Sequence, residues 1–278
     1  MFRLGLSTPA IYYHAVGSGS GANKWFIHQQ GGGWCYDLES CVGRSKGSLG
    51  STKADPKTRT LGGGYMSWDN ASNPLMYNWN KVELRYCDGA SVSGDKTTPT
   101  VVGNSTLHFR GRSILDAEIE SILTDRGMSK ATDVVISGCS AGGLATFLHC
   151  DHWAAAIDKA TTAETGAGAK VACMPDSGFF LDEERSPKYH SNMQNVYKFQ
   201  ESSSAGLNAA CVDAHKSEPG GAWKCIFAQW SSEHIKTPTF PMQSQYDAWQ
   251  TGNVMGAPDA VSEERTAESK HAPAVFKI

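Results

Sequence analysis

The 278-residue chain predicts an α/β fold, a central, mostly parallel sheet flanked by helices. Three observations carry this. Short β-type runs alternate with helix-forming stretches, the order a parallel sheet requires. The apolar run Asp133-Val-Val-Ile-Ser137 passes at Gly138 into a helix-forming stretch from Ala141 to Lys159. No internal repeat and no linker-like shift of composition occurs before about residue 252. Residues 1–255 therefore read as one domain, and 256–278 as a polar, Ala/Glu-rich tail without periodicity.

The elements follow in order. Gly17-Ser-Gly-Ser-Gly21 misses the dinucleotide-binding pattern by one position, precedes a strand and reads as a hairpin turn. Trp25-Phe-Ile-His-Gln-Gln30 is a β-type run that ends in Gly31-Gly32-Gly33. Val82-Glu-Leu-Arg-Tyr86 alternates and reads as a strand running into Cys87-Asp88-Gly89. Ser113 is expected to open a helix, with Ser113 and Asp116 spaced as a capping box. Leu115, Ile119, Ile122 and Leu123 share one face of it, and Arg126-Gly127 ends it. After the strand at Asp133 and its helix, Val171-Ala-Cys-Met174 is a further strand, followed by Pro175-Asp-Ser-Gly178. Residues 186–232 read as helices and loops with a turn at Pro219, and Thr239–Gln245 as a late strand. The alternation predicts helices on both faces of the sheet.

Composition removes several classes of function. Apolar residues make up 40%, charged residues 19%, and the net charge is −3. That balance excludes a disordered chain and gives no footing for nucleic acid or an anionic membrane. No apolar run approaches the ~18 residues of a membrane span. The opening Met1-Phe-Arg-Leu-Gly-Leu6 is no signal peptide, because Ser7 and Pro9 interrupt the apolar run at once. The eight cysteines include no CxxC pair, so a zinc ribbon has no support. Cys35 with Cys41, and Cys211 with Cys225, are closely spaced in loop-like contexts and are expected as disulfides of an oxidising compartment.

The strongest chemical signal is Gly138-Cys139-Ser140-Ala141-Gly142, a G-x-S-x-G sequence between a buried strand and a helix. This is the setting of a nucleophile elbow. Small neighbours are needed because the sharp turn crowds them. The turn would lift Ser140 Oγ clear of the sheet, and the Ala141 N–H at the helix start would face a developing oxyanion. The second signal is Gly31-Gly32-Gly33-Trp34, a glycine-rich loop after an early strand, where esterases draw a further oxyanion donor. A serine hydrolase also needs an acid and a base. The order Ser, acid, His leaves Asp176 and Asp247 as candidate acids. His271 is the only histidine after Asp247. His149 and His152 have ligand-like spacing but read as packing and capping residues. No Walker A sequence is present, and neither a metal nor a cofactor is expected.

Several stretches together resemble the pectin acetylesterase family, most closely its plant-type members, with the animal carboxylesterase Notum a more distant relative. They are Gly31–Cys35, Arg85–Ser91, Phe109–Gly111, Ser137–Gly143, Leu148–Asp151, Asp176–Phe180 and Tyr246–Gln250. The resemblance runs from about residue 8 to 250. It implies an α/β-hydrolase-like fold and removal of O-acetyl groups from cell-wall pectin. It places the nucleophile at Ser140, the acid at Asp247, and oxyanion donors at Gly32, Gly33 and Ala141. It also implies secretion to the extracellular space or cell wall.

The family's histidine lies in a Cys/His-containing segment beyond the acid, which the tail does not resemble. The expectation is a sequence truncated at both ends whose weak ester turnover does not respond to His271→Ala. The rival expectations are a Notum-like deacylase of lipidated protein and an inactive carbohydrate-binding relative.

Overall fold

The computed structural model describes residues 3–4, 8–183, 187–202, 205–219 and 221–255. The tail 256–278, with His271, lies outside the described residues. The strands are β1 (Arg3–Leu4), β2 (Thr8–Pro9), β3 (Tyr12–Ala15), β4 (Lys24–Gln29), β5 (Asn80–Leu84), β6 (Thr100–Val102), β7 (Ser105–Leu107), β8 (Asp133–Cys139) and β9 (Lys170–Asp176). The α-helices are α1 (Leu38–Ser45), α2 (Gly111–Asp125), α3 (Ala141–Thr165), α4 (Pro187–Phe199), α5 (Ala209–His215), α6 (Ala228–Ser231) and α7 (Ala248–Asn253). Five strands form the central sheet in the order β3-β5-β4-β8-β9. All neighbours are parallel except the edge strand β3. This is the mixed, mostly parallel sheet of an α/β-hydrolase-like fold.

The connections decide which face each segment covers. Parallel crossovers are right-handed. The steps from β5 over β4 to β8, and from β8 to β9, run the same way across the sheet. Their helices α2 and α3 therefore lie on one face, where Leu115, Ile119, Ile122, Trp153 and Ile157 pack on Trp25, Ile27, Val82 and Ile136. The step from β4 back to β5 runs the other way, so its connection crosses the opposite face. There Tyr65 sets its ring against Phe26 and His28. Helices α2 and α3 share one face, and the segment around Tyr65, which includes the 3₁₀ turn Gly64–Met66, covers the other.

Three local readings are corrected. Helix α2 begins at Gly111 with Arg110 before it and no side-chain cap. Asp116, expected to complete a capping box with Ser113, turns instead to Arg112 and His152. A true reciprocal capping box stands at α1, where Asp37 and Ser40 exchange hydrogen bonds. The segment Gly17–Gly21 is not a hairpin turn: β5 lies between β3 and β4, and Gly19–Gly21 is a 3₁₀ turn. The late strand at Thr239–Gln245 reduces to two parallel bridges, Cys173 with Thr239 and Asp176 with Met242. Pro175 in β9 carries no N–H to donate to the Phe240 carbonyl, so the ladder breaks between the two bridges.

Three disulfides close within this frame. Cys35–Cys41 and Cys211–Cys225 form as expected, and Cys150–Cys173 ties α3 to β9. Among the described residues no helix is long and apolar enough to cross a membrane.

Candidate active site

Strand β8 delivers Ser140 to the C-terminal end of the sheet, where ligands of open α/β sheets bind. Ser140 has φ 59° and ψ −123° and immediately precedes α3. A non-glycine residue there costs about 1–3 kcal/mol, so the surroundings must hold it. Its N–H donates to the Asp176 carbonyl at 2.9 Å, and its carbonyl accepts from the Leu144 N–H at 2.9 Å. The side chain is half-buried. At Gly142 the backbone of α3 lies so close to β4 that a Cβ would sit 2.0 Å from the Gln29 carbonyl oxygen. The small residue is therefore a steric necessity of the elbow.

The glycine loop lies directly against this turn. A Cβ on Gly31 would be 2.2 Å from the Cys139 carbonyl oxygen and 3.1 Å from the Ser140 Cβ. Gly32 and Gly33 both have positive φ, 137° and 65°. Their carbonyls are held from outside the turn. Arg44 Nη1 donates to the Gly32 carbonyl at 2.8 Å, and the Tyr86 hydroxyl donates to the Gly33 carbonyl at 2.8 Å. In a trans peptide the C=O and the following N–H point opposite ways. Gripping these two carbonyls therefore sets the directions of the Gly33 and Trp34 N–H groups. A second chain joins loop to elbow: Trp34 Nε1 donates to Ser91 Oγ at 2.8 Å, and Ser91 Oγ donates to the Ala141 carbonyl at 2.8 Å.

The two candidate acids differ in their partners. Asp176 accepts the Tyr65 hydroxyl at 2.6 Å and the Ser177 hydroxyl at 2.8 Å. Burial, and then this carboxylate, pushes the Tyr65 phenol well above its usual range. Asp247 precedes α7, accepting the Gln250 N–H at 2.8 Å and Gln243 Nε2 at 3.0 Å. Gln243 and Gln250 in turn bind the backbone of Phe179 and Leu181. Trp249, on the same helix, sets its ring 5.8 Å from Trp34, next to the glycine loop. Burial raises the Cys139 thiol, and the charges of Asp176 and Asp247 raise it further. Both acids thus stand around the elbow. The structure packs Gly31, the first residue of the loop, on the Cys139–Ser140 turn, and brings Asp247 near enough for its charge to act on Cys139.

The described histidines have other engagements. Among the described residues none hydrogen-bonds to Asp247. His152 lies 2.6 Å from Asp116, and His190 lies 2.6 Å from Asp182. Burial holds His28 down to about 4 and His149 down to about 3. His149 is buried in α3 while His152 pairs with Asp116, so the two do not converge on a common ligand. Cys211, His215 and His234 offer atoms within 4.8 Å of one another, but Cys211 is bonded to Cys225 and has no thiolate to give.

Sequence reasoning missed Arg44, Tyr86 and Ser91 as props of the loop, and the Cys150–Cys173 bridge. Tyr86 and Ser91 lie inside the Arg85–Ser91 stretch that carried the resemblance. Nothing local marks Arg44.

The family model described as Pectinacetylesterase matches residues 6–274. The chain is similar to Pectin acetylesterase 11 of Arabidopsis thaliana, 36% identical over 262 residues, covering 93% of this chain and 62% of that protein. Pectin acetylesterase 5 of the same plant is 38% identical over 257 residues, covering 91% of this chain and 56% of its own. Palmitoleoyl-protein carboxylesterase notum2 of Xenopus laevis is 31% identical over 249 residues, covering 86% of this chain and 48% of its own. The chain spans about three fifths of the length of the plant relatives it matches.

Proposed function

Because the chain belongs to the pectinacetylesterase family, we propose that it is a serine carboxylic ester hydrolase that removes O-acetyl groups from pectin-type polysaccharide. The observation that carries this is the contact of two glycine-bearing turns around Ser140: the strained elbow, and the Gly31–Gly33 loop packed on it.

In this reading Ser140 Oγ attacks the acetyl carbonyl. The oxyanion accepts hydrogen bonds from the N–H groups of Gly32, Gly33 and Ala141. The sugar hydroxyl leaves with a proton, water attacks the acyl-enzyme, and acetate departs. Asp247 is the triad acid. The choice of Asp247 over Asp176 rests on its place after the late strand-like run and on the resemblance, because each acid already accepts two hydrogen bonds. The reaction needs an imidazole between Asp247 and Ser140, and His271 is the only histidine after Asp247. No metal or cofactor enters these steps. Residues 1–255 act as one catalytic unit. The three disulfides support an extracellular or cell-wall setting.

The test is hydrolysis of 4-nitrophenyl acetate, and acetate release from acetylated pectin, by the chain and by its Ser140→Ala variant. Loss of a triad nucleophile costs on the order of 10⁶ in rate where the triad is whole. Retention of more than a tenth of the activity removes Ser140 from the mechanism. Faster turnover of an octanoyl than of an acetyl ester would move the substrate from acetylated sugar to lipidated protein.

A further inference from the structure

Arg44 stands on the last turn of α1 and reaches back under the glycine loop. One of its three nitrogens, Nη1, holds the Gly32 carbonyl at 2.8 Å. Its guanidinium lies 4.7 Å over the ring of Tyr86, whose own hydroxyl holds the Gly33 carbonyl. The other two nitrogens, Nε and Nη2, are buried without a protein partner. So are Asp88 Oδ2 and His108 Nδ1. Arg44, Asp88 and His108 line one small chamber of about 20 Å³, walled also by Cys35 and Cys41. Asp88 is only 4% exposed, and its other oxygen accepts the Val92 N–H at 3.2 Å.

A guanidinium with two buried idle donors, lining one chamber with a buried carboxylate that has an idle acceptor, is costly unless something joins them. The chamber exceeds the ~10–15 Å³ that one water needs, and it offers the 2–4 polar partners such a water requires.

We infer that Arg44 is a positioning residue for the oxyanion loop: it aims the Gly33 N–H by holding the Gly32 carbonyl, and one ordered water shared with Asp88 keeps its guanidinium in place. The role rests on the ester-hydrolase reading of Ser140. It follows from the planarity of the peptide. With the Gly32 carbonyl fixed from below, the Gly33 N–H points the opposite way. Without Arg44, two consecutive glycines of positive φ have no side chains to resist rotation of the peptide between them. A donor that is already aimed stabilises the oxyanion without reorganising, whereas one that must rotate into place does not.

The experiment is steady-state hydrolysis of 4-nitrophenyl acetate by the chain, Ser140→Ala, Arg44→Ala, Arg44→Lys and Asp88→Asn, with thermal melts of each. A crystal structure of the chain and of Arg44→Ala accompanies them. Arg44→Ala is expected to lower kcat about 10- to 100-fold, below the ~10²–10³ for loss of a donor outright, with KM within about twofold. Added guanidinium ion should restore part of that loss, which a merely structural defect would not allow. Arg44→Lys should fall between, and Asp88→Asn should lose less than Arg44→Ala. The crystal should show a water bonded to Arg44 and Asp88, and a turned Gly32–Gly33 peptide in Arg44→Ala. Wild-type kcat in Arg44→Ala alongside Ser140-dependent turnover overturns the inference while leaving the hydrolase reading intact. Turnover that survives Ser140→Ala overturns the hydrolase reading instead. The crystals then decide Arg44 alone: an unturned peptide in the variant, or a dry chamber, ends the proposal.

Discussion

Replacing Gly142 by alanine should damage the site through the backbone alone. The new Cβ would sit 2.0 Å from the Gln29 carbonyl oxygen, 2.8 Å from its carbon and 2.9 Å from the carbonyl carbon of Gln30. Ordinary contact begins near 3.4 Å, so the first turn of α3 and the end of β4 must separate by about 1.4 Å. No flexible side chain can absorb this, because every atom struck is backbone. The same junction is pinned by Gln29 Nε2 to Thr146 Oγ1 at 3.2 Å, and by Thr146 Oγ1 to the Gly142 carbonyl at 2.9 Å. Over-packing of this kind costs about 1–3 kcal/mol. At roughly 2–4 °C per kcal/mol for a chain near this size, the melting temperature should fall by roughly 2–12 °C. Activity should fall further. Gln29 and Gln30 lead directly into the glycine loop, so the displacement moves the oxyanion donors relative to Ser140. A misplacement of about 1 Å is worth ~10²-fold in rate. Thermal melts and 4-nitrophenyl acetate kinetics read both effects. Gly43→Ala is the control. It lies on exposed α1 with no atom within 4 Å of the new Cβ, and it should gain up to ~1 kcal/mol of stability with unchanged kcat. A Gly142→Ala protein with the wild-type melting temperature and kcat would refute the reasoning.

Asp247→Asn keeps the cap of α7 but sets an amide N–H against Gln243 Nε2, so the melting temperature should fall slightly, while kcat should drop by ~10⁴ if the residue is the triad acid. Removing both Cys150 and Cys173 should cost about 3 kcal/mol of unfolding free energy, the loop-closure figure for their 23-residue separation; a urea midpoint equal to wild type would contradict it. His149 is held down to about 3 by burial, with Arg112 and His152 adding to it, against an ordinary value of 6.5. Its folded value is depressed, so its stability is whole above 6.5 and drains away as pH falls toward 3, while the unfolded chain takes up the proton. His149→Leu should therefore lose about 2 kcal/mol less than wild type between pH 7 and pH 5 in urea titrations, and parallel losses in the two proteins would exclude the residue.

What the sequence by itself determined is local. Asp133–Ser137 is apolar and β-branched, Gly138–Gly143 is small, and the stretch from Ala141 is helix-forming, so strand, elbow and helix were legible without any partner. The glycines of the 31–33 loop were legible for the same reason, and so were the two short-range disulfides. Tertiary structure decided everything that depends on residues distant in sequence meeting in space. Cys150 and Cys173 pair because α3 folds back along β9, a geometry their spacing does not reveal. Helices α2 and α3 share a face because successive crossovers step the same way across the sheet, which requires the strand order. Asp116 left its expected cap because Arg112 and His152 came within reach. Along the chain Asp247 already had the better station, after the late strand-like run, and only folding supplied the donors that each acid accepts. Arg44 is an ordinary helix residue in the sequence, and only folding sets its guanidinium under the Gly32 carbonyl. Backbone preference is written over a few neighbouring residues, whereas a side chain's partner is fixed by packing over the whole domain.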